Sequence, residues 1–399
     1  MARIGIFGGS FNPVHNGHVF AAREFLRLLD LDRLIVMPAA VPPHKQMPAG
    51  SPDDAARYRM LCAAMDGIDG VEVSDLELQR GGKSYTYDTL LTLKEHFPKD
   101  EIYLLIGTDM LLSFDTWHRF EDILQLAELG VAIRSDLSAA DRKAIDRTAE
   151  AFRNRYGARI TVFCNDVLEL SSTTVRRMLF FGCGDSYLPA PTAEIIRNEA
   201  LYGLGGNYRN LAYPLLEETV LSLHDENRRA HAVGCSRTAK DLARLYGVSE
   251  IDAERAGILH DLTKALRPQE QLRLCEHYGI MVGDYTPDQY KLLHGKTAAA
   301  AAEKIFGENE AVCSAISWHT TGKADMTLLE KIIYIADYIE PNRKFDGVEE
   351  LRRLAYTDLD AAVLLGIDMT IDLLRRDGRS LNRYSLEAQA YLRTGRKHL

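Results

Sequence analysis

Six short strand-like runs, at residues 4–7, 33–37, 70–74, 101–106, 130–133 and 160–163, alternate with stretches of helical spacing, and the strand signal disappears from about residue 208. Such alternation builds a parallel sheet, because strands running the same way need a crossover and a helix supplies it. The front of the chain is therefore expected to be α/β, a Rossmann-like doubly wound parallel sheet with helices on both faces. Beyond residue 208 helical periodicity takes over, as in Val233, Leu242 and Leu245 ahead of Gly247, and Ser249-Glu-Ile-Asp252 is placed to cap the next helix. An all-α domain is expected there. At 399 residues the chain exceeds what one core usually serves, and Gly203-Leu-Gly-Gly206 marks a boundary between domains 1–205 and 206–399.

The exit from the first strand is the most informative loop. Residues 5–18 read Gly-Ile-Phe-Gly-Gly-Ser-Phe-Asn-Pro-Val-His-Asn-Gly-His. Gly8 and Gly9 allow backbone to pass close to a ligand, and binding is expected at the carboxyl end of the strand. Val19, Ala22, Leu26 and Leu29 then recur at helical spacing, so His15 and His18 stand at a helix N-terminus, whose N–H groups and dipole favour anions. Two imidazoles there suit a triphosphate, a polar surface turn being the plain alternative. A second phosphate-directed stretch is Leu170-Ser171-Ser172-Thr173-Thr174-Val175-Arg176-Arg177, where hydroxyls cap a helix or donate to phosphate oxygens and Arg176 rides the first turn.

Other loops are more ambiguous. Pro38-Ala-Ala-Val-Pro-Pro-His44-Lys45 is a stiff arm ending in two groups able to hold a phosphate, or else a solvated tip. Thr86 reads as a helix cap. Gly107-Thr-Asp109 closes the fourth run ahead of Leu111, Phe114 and Trp117, aromatics that more often belong to a core than to a ligand platform.

Charge and cysteine usage exclude some classes. A net charge of −9 and a pI near 5.8 argue against a general nucleic-acid binder, so any anion site must be local. The six cysteines, at 62, 164, 183, 235, 275 and 313, form no Cys-x-x-Cys pair and read as reduced thiols. With no apolar run long enough to span a bilayer and a chain that enters its first strand directly, a cytoplasmic protein without a membrane partner is expected. Oligomeric state stays open, a homo-oligomer included.

The second half places histidines and aspartates where a divalent transition metal needs them: His231, His260, Asp261, His294, His319 and Asp337. Asp337 lies inside the apolar run Lys331-Ile-Ile-Tyr-Ile-Ala-Asp-Tyr-Ile339, and a carboxylate there must find a cation or hydrogen bonds. A salt bridge to arginine would also serve.

Gly-Gly-Ser-Phe-Asn-Pro-Val-His-Asn-Gly-His resembles the bacterial nicotinate mononucleotide adenylyltransferases of the nucleotidyltransferase superfamily, and the segment from Leu170 to Arg176 is similar to that superfamily's Ile-Ser-Ser-Thr-x-Ile-Arg motif. The resemblance implies adenylyl transfer from ATP, with Mg²⁺, to nicotinate mononucleotide. It places ATP on Gly8, Gly9, Ser10, Phe11, His15, His18, Ser171, Ser172, Thr173 and Arg176, with His15, His18 and Arg176 stabilising charge. It places nicotinate mononucleotide on His44, Lys45, Thr86, Asp109 and Trp117. Phosphopantetheine or nicotinamide mononucleotide is the alternative acceptor. No enzyme nucleophile is needed, since an acceptor phosphate can attack the α-phosphorus directly.

His260-Asp-Leu-Thr-Lys264, Leu-Leu-His294-Gly, Ala-Ile-Ser-Trp-His319-Thr-Thr-Gly and Ile-Ala-Asp337-Tyr-Ile-Glu-Pro-Asn-Arg343 resemble the YqeK-type HD-domain phosphohydrolases. That resemblance implies two metal ions, iron by analogy, and symmetrical hydrolysis of diadenosine tetraphosphate to ADP. His231, His260, Asp261 and Asp337 would hold one ion, and Asp261, His294 and His319 the other, with Lys264 steadying the leaving nucleotide or merely solvated. A non-catalytic sensory HD module is the alternative.

Overall fold

A parallel strand covered on both faces has to be largely apolar along its length, and all the runs but residues 70–74, where Glu72 is exposed at the sheet edge, meet that condition. In a computed structural model, which describes residues 1–44, 46–134, 137–165, 170–283 and 285–395, the six runs form β1 (Arg3–Gly9), β2 (Arg33–Pro38), β3 (Val71–Val73), β4 (Glu101–Gly107), β5 (Glu128–Arg134) and β6 (Ile160–Asn165). Every pairing is parallel, in the order β3-β2-β1-β4-β5-β6. Strand order reverses between β1 and β4, which makes the crevice above their carboxyl ends the expected ligand site.

Around the sheet lie α1 (Asn16–Leu28), α2 (Asp54–Met65), α3 (Thr86–His96), α4 (Ala139–Tyr156), α5 (Ser172–Phe180) and α6 (Ala190–Asn198). Period-two alternation sends Ile4 and Ile6 of β1 into a core shared with Leu90 and Leu93 of α3 and Ile145 and Phe152 of α4. Gly5, between those isoleucines, faces the other way, toward α1. A Cβ there would come within 3.0 Å of Phe25, and one on Gly130 within 2.5 Å. Phe25 therefore lies flat against the sheet, fully buried.

The chain divides into two compact units, Met1–Gly205 and Gly206–Leu399. Among the described residues the second unit contains no strand. Its helices are α7 (Tyr213–Leu223), α8 (Glu226–Tyr246), α9 (Glu250–Leu259), α10 (Pro268–Tyr278), α11 (His294–Ala301), α12 (Glu310–Trp318), α13 (Leu328–Ile339), α14 (Val348–Ala355), α15 (Leu359–Arg376) and α16 (Arg383–Gly395). Gly247 ends α8 in the left-handed conformation, φ 71°. Leu242 is buried beneath that end, whereas Leu245 is 52% exposed and adds nothing to the core. The Ser249 hydroxyl caps α9 by accepting from the Asp252 N–H at 3.2 Å.

Close packing in this unit is set by small residues. A Cβ on Gly257 of α9 would stand 2.6 Å from Ser236 Cα of α8, so the two backbones touch. Helix α13 starts in a reciprocal cap between Thr327 and Glu330 and is buried from Ile332 to Ala336. Helices α8, α9 and α13 thereby carry His231, His260 and Asp337 to one place. No helix among the described residues is long and apolar enough to cross a membrane.

Candidate active sites

The cleft over the β1/β4 switch point has a volume of about 580 Å³, and residues of both phosphate-directed segments line it: Gly8, Gly9, Ser10, His15 and His18 on one side, Ser171, Ser172, Thr173 and Arg176 on the other. They are joined directly. Arg176 Nη1 donates to the Asn12 carbonyl at 2.6 Å, and the Ser172 hydroxyl donates to the Pro13 carbonyl at 3.0 Å. Helix α5 is thus tied to the loop after β1, and its own start is capped by Ser171 Oγ accepting from the Thr174 N–H at 3.1 Å.

His15 and His18 stack with ring centroids 3.6 Å apart. The His15 N–H donates to His18 Nδ1 at 3.2 Å, which leaves the His18 proton on Nε2 as a donor. His15 is 3% exposed and its Nδ1 has no partner. Burial lowers its pKa from 6.5 to about 4, so His15 is neutral at neutral pH and acts as a hydrogen-bonding group.

Expectations change at four positions, Phe11, Ser172, Thr86 and Asp109. Phe11 does not line the cleft: its ring is 1% exposed, packed 4.9 Å from the His18 ring and under Gly9, where it supports the loop from beneath. Ser172 has one hydroxyl proton and gives it to Pro13, so it braces the loop instead of donating to phosphate. Thr86 is the first residue of α3 and not its cap; Tyr85 holds the cap position in extended backbone without a side-chain bond.

Thr86 nonetheless lines the cleft, together with His44 and Trp117, whose rings lie 5.5 Å apart. Trp117 rests its other side on buried Phe114 at 4.9 Å. Asp109 is exposed in the first turn of the short helix Thr108–Leu112 and does not line the cleft, whereas Met110 does. Successive helical side chains diverge by about 100°, so only one of such a pair can face inward. Lys45 lies outside the described residues.

Two residues went unnoticed in the sequence. Arg57 of α2, 1% exposed, donates to the carbonyls of Ser10 at 2.8 Å and Ala39 at 2.7 Å and pairs with Asp54 at 2.6 Å. It clamps the loops after β1 and β2 together. Glu77 is a buried carboxyl in the cleft wall, raised in pKa by burial and accepting from Thr89 Oγ1 at 2.7 Å. The signal for Arg57 was a guanidinium among Met60, Leu61 and Ala64, but nothing local told which loops it would hold.

In the second unit, Asp261 is fully buried and its two oxygens face different histidine pairs. Oδ2 lies 3.4 Å from His231 Nε2 and 3.5 Å from His260 Nε2, with Asp337 Oδ1 3.1 Å from His231 Nε2. Oδ1 lies 3.1 Å from His294 Nε2 and 3.5 Å from His319 Nε2. The structure thus brings all six residues together, in two groups that share Asp261.

The outer ring nitrogens decide what this arrangement can hold. His260, His294 and His319 each donate Nδ1–H to a backbone carbonyl, of Gly257, Lys291 and Ile316, at 2.6–2.7 Å, and His231 Nδ1 donates to Glu340 Oε1 at 3.1 Å. Every Nε2 is then turned into the group, facing the carboxylates and, at 3.1 and 3.3 Å, one another. Burial works against protonation, but the carboxylates raise His231 to about 12 and His260 to about 10. Such a convergence is balanced by protons or by metal ions, and outer-sphere donation from Nδ1 is the usual way of orienting a metal-binding histidine. The residues fit divalent ions.

Arg228, Lys264 and Arg343 lean on the rim of the same group, Arg228 at 2.6 Å and Lys264 at 3.3 Å from Asp261 and Arg343 on Asp337. Burial works to raise the Asp261 carboxyl, but His260 and Lys264 outweigh it and hold it well below the usual range. An adjoining cleft of about 1010 Å³ is lined by Lys264, Lys291, Arg343, Arg376 and Arg379 and also by Asp288, Asp346 and Asp372, with His294, His319 and Asp337 at its floor.

Residues 6–178 match a family described as cytidylyltransferase-like, and residues 228–342 match the HD domain. A probable nicotinate-nucleotide adenylyltransferase of Clostridium botulinum is 36% identical over 205 residues, covering 51% of this chain and 98% of that protein. The chain belongs to the nicotinate-nucleotide adenylyltransferase family. A relative of the same name in Pelobacter propionicus is 36% identical over 212 residues, covering 50% of this chain and 98% of its own. The family resemblance therefore spans the first unit, and the HD domain is an addition in the second. Among solved structures, a predicted HD superfamily hydrolase involved in NAD metabolism from Clostridium acetobutylicum is 39% identical, covering 46% of this chain and 98% of that one, TM-score 0.45. A Plasmodium falciparum nicotinic acid mononucleotide adenylyltransferase complexed with NaAD is 19% identical, covering 51% and 99%, TM-score 0.42.

Proposed function

We propose that residues 1–205 transfer the adenylyl group of ATP to nicotinate mononucleotide, releasing pyrophosphate and forming nicotinate adenine dinucleotide. The observation that carries this reading is the joining of the two phosphate-directed segments on one cleft that also holds His44, Thr86 and Trp117. The acceptor phosphate oxygen attacks the α-phosphorus while the bond to the departing β-phosphate oxygen breaks, so catalysis consists of alignment and charge stabilisation. His18 offers Nε2–H, neutral His15 offers its remaining polar nitrogen, and Arg176 supplies the fixed positive charge. Ser10 and the glycines bring backbone to the phosphates, and the Trp117 face adjoins the place for the pyridine ring. Mg²⁺ bound with ATP would screen the phosphate oxygens; among the described residues lining the cleft the one carboxylate is Glu77, already bonded to Thr89, which favours an ion carried by the nucleotide over one caged by protein.

For residues 206–399 we read symmetrical hydrolysis of diadenosine tetraphosphate to two ADP. Support comes from the convergent Nε2 atoms and from the five lysines and arginines of the adjoining cleft, which outnumber its four aspartates and can each take a phosphate oxygen. Two divalent transition metals, iron by family likeness, would supply Lewis acidity when bound by His231, His260, Asp261 and Asp337 and by Asp261, His294 and His319. Lys264 and Arg343 neutralise phosphate oxygens at the rim, and the histidine Nδ1 donors hold the rings in place. We place both activities in the cytoplasm, where the free cysteines stay reduced.

The test is to assay the purified chain with ATP against nicotinate mononucleotide, nicotinamide mononucleotide and phosphopantetheine, and separately with dinucleoside polyphosphates plus Fe²⁺ or Mn²⁺. Nicotinate mononucleotide should be the preferred acceptor, and ADP the sole product from diadenosine tetraphosphate. AMP plus ATP, or no turnover with either metal, would overturn the second assignment and leave the first standing.

A further inference from the structure

The four imidazoles of the second unit's cluster are not held alike. His260, His294 and His319 each give Nδ1–H to a carbonyl three residues earlier, a partner that their own turn of chain supplies. His231 gives its proton to Glu340, 109 residues later. Glu340 is 1% exposed and belongs to neither ligand set above.

The surroundings are built to receive that carboxylate. Oε1 accepts from His231 Nδ1 at 3.1 Å, while Oε2 accepts from the Asn342 backbone N–H at 2.8 Å and from Asn342 Nδ2 at 2.9 Å. Arg352 fixes the turn that carries it, donating to the carbonyls of Ile339, Glu340 and Arg343 at 3.0 Å. Opposite stands Gly234 of α8, where a Cβ would come 2.5 Å from Oε2, so the helix lacks a side chain at the place where the carboxylate enters. Burying a carboxylate is unfavourable unless its charge is used, and here it is aimed at one imidazole.

We propose that Glu340 is a positioning residue for the ion held by His231, His260, Asp261 and Asp337, acting through His231: it fixes the ring, keeps a proton on Nδ1, and adds negative charge behind the nitrogen that binds. The inference rests on the reading of this unit as a metal site. When an ion binds, Nε2 releases its proton to solvent and forms the metal–nitrogen bond, while Nδ1 keeps its proton on Glu340. The position of Asp261 Oδ1, His294 and His319 has only carbonyls behind its rings, so Glu340 should govern one ion and not the other.

Glu340→Gln is a sharp test, because an amide cannot serve both neighbours. The Asn342 backbone N–H cannot change sides, so it takes the amide oxygen and leaves the NH₂ group facing His231 Nδ1. His231 must then accept at Nδ1, which puts its proton on Nε2 and blocks the ion. The full chain is stripped with chelator and titrated with Co²⁺ while bound cobalt is counted. The unaltered chain should bind two ions. In Glu340→Gln one of them should weaken about 10- to 100-fold, the loss typical when a metal-binding histidine forfeits its outer partner, and the other should not weaken, which a misfolded chain could not achieve. Gly234→Ala removes no polar group and favours the helix, yet its Cβ displaces Glu340 and should likewise weaken one ion. Two ions of unchanged affinity in Glu340→Gln, or equal weakening of both, would overturn the role of Glu340 while sparing the metal site. No cobalt retained by the unaltered chain would overturn the metal site as well.

Discussion

His18 and His15 are neighbours with opposite duties. If His18 Nε2–H stabilises charge on the departing pyrophosphate, His18→Ala lowers kcat for adenylyl transfer by about 10²-fold or more, the loss typical of one such donor. Steady-state kinetics with saturating ATP check it, and a change within a few-fold would remove His18 from the reaction. His15 makes a pH prediction. The unfolded chain takes up its proton near 6.5 and the folded one not until about 4, so the unfolded state binds more protons between those values. Stability must fall as pH drops through that window, by up to about 3 kcal/mol at its lower end. In a Trp318→Phe background, where Trp117 is the remaining tryptophan, urea unfolding at pH 7 and pH 4.5 should show a loss about 2 kcal/mol smaller in His15→Asn than in its parent.

At the scale of elements, the loop after β1 stays in place because α2 and α5 each reach into it, through Arg57 on Ser10 and Arg176 on Asn12. Arg57→Ala leaves two buried carbonyls without donors and should cost about 3 kcal/mol, with a raised KM for ATP. Thermal unfolding and initial rates would register it; an unchanged KM would mean that the loop holds its shape without the clamp. Most strands were legible in the sequence because a doubly covered parallel strand is largely apolar, and the edge strand β3 because Val71 and Val73 alternate with exposed Glu72; each run lies within or beside its observed strand. The histidine–aspartate cluster was legible because its residue types have few other reasons to recur in an apolar helical half. Arg57 and the downward turn of Phe11 were not, since both depend on which surfaces α2 and the β1 loop meet after folding. Asp109 and Met110 show the same limit at closer range: the segment was right, and the helical rotation chose the other side chain.

For the molecule as a whole, two units with unrelated cores and separate clefts predict separable activities. Asp261→Ala should abolish hydrolysis of diadenosine tetraphosphate and leave adenylyl transfer within about twofold, because Asp261 lies fully buried in the second unit. Prolonged chelation followed by return of Mg²⁺ alone should reproduce that split, since among the described residues the first cleft has no protein cage for an ion. Loss of both activities together in either experiment would show that the units depend on each other.

A single carboxyl group standing between two pairs of imidazoles carries one negative charge for both. The first cation to arrive meets that charge whole, and the next meets it already balanced, with another dication as its neighbour. Loading of the apo chain should therefore proceed in two unequal stages, and the ion that enters last should be the first to leave on dilution.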